Sequence, residues 1–202
     1  MKGLRLLFAV AIGLFITCLF SSTSAWAQSS NDIIIAPHYI EQKIKEAKAG
    51  KLDYEFASWV VQAAENAFLQ ASKNPTAEDW WDSALEKYEI AYILYEEGKA
   101  EPIYLAATAI RLGTIHIHNN ILNRAEQLLR KGVALLEDYK PATNVKLIKR
   151  EYIFGLGYLG RVYRLQDRTE LAKETLSKAL SFAKKYFGDD SPEVKALMSH
   201  MR

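Results

Sequence analysis

LGRVYRLQDRTELAKETLSKALSFAKKYFGDDSPEV, residues 159–194, decides the fold. Gly160, Ala172 and Ala179 stand at intervals that suit two helices packing closely, because small residues let backbones approach while large neighbours fill the space between. Leu156, Leu159, Gly160 and Tyr163 share one side of a helix at spacings of three and four, and Ala172, Leu176 and Ala179 do the same on the next. Asp167 lies seven residues beyond the glycine, where a reversal needs a residue tolerant of the left-handed region.

The same pattern stands earlier in the chain. Ala109, Leu112, Gly113 and His116 form the first stripe, Asn120 is seven residues past the glycine, and Ala125, Leu129 and Gly132 open the second stripe. A further second stripe is Ala84, Tyr88 and Ala91, with its first helix set back by the 73–79 loop. The three alanine marks, Ala84, Ala125 and Ala172, are 41 and 47 residues apart, so the loops between units vary in length. No sustained alternation with period two calls for a strand. Helices are predicted near 38–49, 53–73, 78–97, 102–119, 121–139, 144–166, 168–187 and 192–201, with breaks at Gly50, Asn74-Pro75, Gly98, Glu101-Pro102, Pro141 and Gly188–Pro192. Thr76–Asp79 and Asp167–Glu170 have capping-box spacing, and Ser191-Pro192 is an N-cap followed by a first-turn proline.

Leu159-Gly160, Tyr163, Ala172, Leu176 and Ala179 resemble the tetratricopeptide repeat, and the tail Phe187–Val194 is similar to the linker of its longer, kinesin-light-chain-like variety. The copy at 106–139 carries His116 in the tyrosine place and Gly132 in the second alanine place, and the copy at 53–97 matches in its second helix alone. The resemblance implies an all-α, short α-solenoid of stacked antiparallel helical hairpins. Its expected units are 53–97, 102–139 and 144–187, with a terminal helix at 192–201, all within a repeat domain over 53–202.

Two segments precede that domain. Lys2 and Arg5, the apolar run Leu6–Phe20 and Ala25-Trp26-Ala27 follow the order of a secretory signal peptide, so residues 1–27 are expected to be removed before Gln28. The 15-residue apolar run is shorter than the roughly 20 residues that span a bilayer. Residues 28–52 read as a leader with a short helix. The expected compartment is therefore the periplasm, or the exterior, with no membrane span after signal removal. Cys18, the single cysteine, falls within the signal, so no disulfide is expected in the remainder. Removing Lys2 and Arg5 leaves 24 basic residues against 24 acidic ones, and a neutral balance gives no electrostatic case for a nucleic-acid partner.

The chain offers little for catalysis. His116 and His118 diverge by about 200° on one helix and do not share an ion, so no metal site is expected, and His116 reads as a core histidine with a hydrogen bond. Glu96-Glu97 and Asp189-Asp190 fall at helix ends and turns, where capping and solvation account for them. No phosphate loop and no nucleophile elbow are present, and neither an enzyme activity nor a cofactor is expected. The resemblance implies that first helices line a concave face that takes a peptide, here through Arg111, Thr114 and His118 from one repeat and Tyr158, Arg161 and Arg164 from the next. The expected function is an exported protein–protein interaction module, an adaptor or assembly factor of the cell envelope, whose partner peptide is acidic or carboxylate-bearing with an aromatic or aliphatic anchor. The alternative is a binder of a small molecule or glycan that uses the groove and Trp80 or Trp81, adjacent side chains that point about 100° apart.

Overall fold

A computed structural model describes residues 35–139 and 145–200. The expected signal segment, the first residues of the leader and the break at Pro141 lie outside them. Every regular element among the described residues is an α-helix. By their contacts they fall into two compact units, Met1–Ala100 and Glu101–Arg202.

The first unit holds α1 (Pro37–Lys48), α2 (Tyr54–Lys73) and α3 (Glu78–Glu97). Asp53 caps α2 by accepting from the Phe56 amide at 2.9 Å, and Lys43 of α1 donates to the same carboxylate at 2.7 Å. The predicted leader helix is thereby tied to the next element, and it also packs against α3. The α2 side facing α3 is a stripe of small residues, Ala57, Ala64, Ala67 and Ala71, all buried. Rings fill the space they leave: Phe68 lies edge-on to Trp81 at 5.5 Å and to Tyr88 at 6.4 Å. Ala84, Tyr88 and Ala91, the predicted second stripe, are each fully buried.

The second unit holds α4 (Pro102–His118), α5 (Leu122–Glu137), α6 (Val145–Leu165), α7 (Thr169–Phe187) and α8 (Pro192–His200). Each helix packs on the next, and α4 also meets α6, as α6 meets α8, so this unit is a solenoid-like stack of two hairpins and a terminal helix. The two hairpins close the same way. A Cβ on Gly113 would stand 2.6 Å from Leu129 Cγ and 3.3 Å from the Ala125 carbonyl oxygen. On Gly160 it would stand 2.6 Å from Leu176 Cγ and 3.4 Å from the Ala172 carbonyl oxygen. Glycine thus lets a leucine of the partner helix reach the backbone, and burying each leucine stabilises by roughly 1.5–3 kcal/mol.

Both reversals match as well. Asn120 and Asp167 have φ of 58° and 59°, and the amides of Ile121 and Arg168 each donate back to the carbonyls of His116 and Tyr163 at 2.8 Å. This use of Asp167 corrects one expectation. A residue in the left-handed region is not an N-cap, so α7 starts after Arg168 with no side-chain cap. The other predicted capping box also fails to form, since Thr76 donates instead to Asn74 Oδ1 at 2.9 Å and Ala77 precedes α3. Ser191 does cap, accepting from the Val194 amide at 3.3 Å. The remaining helix limits fall within two residues of the predicted ones.

Candidate interaction surface

Of the six residues predicted to form a binding face, Arg111 is corrected by its surroundings. It is 1% exposed, and its guanidinium meets the Glu151 carboxylate of α6 at 3.3 and 3.5 Å. Residue spacing marks one packing side on α4, the glycine stripe, whereas a helix inside a stack has two. Gly113 faces α5, and the side bearing Arg111 faces α6. Arg111 is thus a structural cation inside the stack, and the Glu151 carboxylate offsets part of the cost of removing its charge from water.

The other five range from buried to exposed. Tyr158, 47 positions after Arg111, is buried too. Thr114 is half-buried and donates to the Ile110 carbonyl at 2.9 Å, a bond within its own helix. His118 is exposed in the last turn of α4. Arg161 is half-exposed and Arg164 is exposed, so these two remain accessible as basic residues of α6.

His116 is buried as predicted, but without the expected hydrogen bond at Nδ1. Burial, followed by the nearby positive charge of Arg124, holds its pKa below the usual histidine value. In the matching hairpin Tyr163 fills this place, and Arg168 lies over its ring at 4.4 Å. Ile121 stands at the position matching Arg168.

Trp81 is buried, donating from Nε1 to the Pro75 carbonyl at 3.2 Å, while Trp80 is half-exposed. The adjacent tryptophans therefore do not present two rings to one ligand. Among the described residues no group of three or more His, Cys, Asp or Glu side chains could hold a metal ion, and no helix is long and apolar enough to cross a membrane.

A surface that the sequence reading missed runs along α6 and α7. Phe182 stacks on Tyr186 at 6.1 Å and meets Tyr152 edge-on at 5.4 Å. Lys149 lies 6.0 Å and Lys185 5.5 Å from the centre of the Tyr186 ring, and Lys178 lies 5.8 Å from that of Tyr152. Lys178 also donates to Glu137 at 2.6 Å, and the Tyr152 hydroxyl donates to the same carboxylate at 3.2 Å. The bond from Lys178, against the opposing effect of burial, holds the Glu137 carboxyl below its usual range. Burial pushes the Tyr152 hydroxyl up. The signal was present in Phe182 and Tyr186, four apart, with Lys184-Lys185 between them and Lys149-Arg150 leading to Tyr152. It passed unnoticed because the two helices are read separately in a sequence, and only their antiparallel pairing brings Lys149 onto a ring 37 positions later.

Compared with known proteins, the chain matches no protein-family model, no curated protein and no solved structure.

Proposed function

We propose that this chain is an exported, non-enzymatic protein–protein interaction module, a helical-repeat protein of the tetratricopeptide kind that loses residues 1–27 and works in the periplasm as an adaptor or assembly factor. The observation that carries the reading is the matched pair of hairpins, in which a Cβ added at Gly113 or Gly160 would stand the same 2.6 Å from Leu129 Cγ or Leu176 Cγ. A hairpin repeated in this way extends a surface without building a pocket, and surfaces of that kind hold peptides by many shallow contacts. The partner segment is acidic, because residues 101–202 contain 17 Lys or Arg against 11 Asp or Glu, whereas residues 28–100 contain 7 against 13. Arg161 and Arg164 are the proposed contacts on the face expected from the repeat resemblance.

The test is affinity capture from an envelope extract, using the exported protein and its Arg161→Glu/Arg164→Glu variant. The expected result is one retained protein, released as salt rises and not retained by the variant. Retention of glycan alone, or of the same protein with equal strength by the variant, contradicts the reading. N-terminal sequencing of the exported protein should begin at Gln28, and an intact N terminus in a membrane fraction contradicts the export claim.

A further inference from the structure

The strip along α6 and α7 is a basic surface whose charges are compensated unevenly. Lys178 is paired with Glu137, Lys184 with Asp189 at 2.8 Å, and Arg150 with Glu193 at 2.8 Å, an ion pair without an aligned hydrogen bond. Lys149 and Lys185 differ from these neighbours. Neither has a carboxylate within ion-pair distance among the described residues, and both ammonium groups lie over the single ring of Tyr186. At a surface the ring offsets each charge only modestly. Lys146, exposed three residues before Lys149 on the same side of α6, adds a third positive charge, again with no paired carboxylate among the described residues.

We propose that Lys149, Lys185 and the half-exposed rings of Tyr186 and Phe182 form a second docking site, which takes an acidic segment of a partner protein carrying one aromatic or aliphatic side chain. This rests on the proposed acidity of the partner but not on the Arg161 and Arg164 face. The ammonium groups of Lys149 and Lys185 each offer a carboxylate of the segment a charge-assisted contact. The Tyr186–Phe182 stack offers an apolar landing for the adjacent side chain, and a buried aromatic contact ringed by charge is the usual composition of an energetic centre in an interface. A narrow segment suits the strip better than a flat anionic surface does. Asp189 and Asp190, both exposed, follow closely on α7, and a bilayer of anionic lipids covering the strip would meet them.

The experiment measures fluorescence anisotropy of a labelled peptide, Glu-Glu-Asp-Phe-Glu-Glu, against the protein from residue 28 onward at low and high salt. Its partners are Lys149→Glu/Lys185→Glu, the milder Lys149→Gln/Lys185→Gln, and Arg161→Glu/Arg164→Glu, each checked for helix content by circular dichroism. The expected result is salt-sensitive binding that weakens by about tenfold or more on charge reversal at 149 and 185, and by less on neutralisation. A peptide with lysine in place of the acidic residues should not bind. The proposal is overturned if binding is unchanged in both lysine variants. If only the Arg161→Glu/Arg164→Glu variant loses the peptide, the acidic-partner reading stands and this second site does not. Two other outcomes also overturn it: self-association in sedimentation that the lysine variants abolish, which makes a second copy the occupant, and binding to phosphatidylglycerol vesicles without binding to the peptide.

Discussion

The α2/α3 hairpin and the two hairpins of residues 102–187 meet the same packing demand with different residues. In α2/α3 the crossing is lined by Ala57, Ala64, Ala67 and Ala71, and the space is filled by the rings of Phe68, Trp81 and Tyr88. In α4/α5 and α6/α7 a glycine opens the backbone and one leucine enters. Rings fill the space beside the alanines, whereas at each glycine a leucine of the partner helix reaches the backbone. The glycine version is also the more constrained, since a Cβ added at Gly113 or Gly160 meets the middle of a leucine side chain and not its flexible end.

That difference bears first on the pair inside the glycine-built unit. Close approach of the hairpins leaves Arg111 and Glu151 almost without water, and the α2/α3 hairpin has no ion pair of comparable burial between described residues. Glu151→Leu should lower stability by up to about 3–5 kcal/mol, because it removes the carboxylate that faces a buried cation. Arg111→Met combined with Glu151→Leu should recover most of that loss, and urea unfolding of the two singles and the double measures the coupling. Additive losses would mean that the two charges do not depend on each other. The double variant should also keep the peptide binding described above, as expected of residues inside the stack.

How far the sequence could be read follows from the same contrast. Gly113, Gly160, Ala125 and Ala172 announced their hairpins and both left-handed turns because few residues satisfy so tight a crossing. The first helix of the α2/α3 hairpin was harder to read, since alanines with rings can be arranged in many ways and no single spacing marks them. The binding face suffered from a different gap. Periodicity shows which side of a helix is apolar, but Arg111 is buried on a second side by a carboxylate 40 positions later, and no local pattern reports such a partner. Lys149 and Tyr186 were missed for the same reason.

A smaller effect separates the two glycine-built hairpins from each other. His116 and Tyr163 occupy matching places, yet the histidine is buried with its Nδ1 unbonded. Its folded pKa lies below the ordinary value of about 6.5, so as pH falls the unfolded chain takes up the proton before the folded one does. The stability due to neutral His116 is therefore full above about pH 6.5 and is lost as pH falls through the lower folded value. His116→Tyr should remove that loss. Urea midpoints at about pH 7 and pH 5.5, above the range where Glu126 and Glu137 take up protons, check it. An equal loss in both proteins would assign the acid sensitivity to other groups.

The central claim, that one hairpin is built twice around a glycine crossing, is tested most directly by urea unfolding of Gly113→Leu and Gly160→Leu side by side. Helix propensity alone would stabilise each by about 0.8 kcal/mol. Overpacking against Leu129 or Leu176 should cost roughly 1–3 kcal/mol, and the predicted result is a net loss of similar size in both variants. Unchanged or raised stability in either variant would contradict the claim, because it would place that glycine on an open helix face.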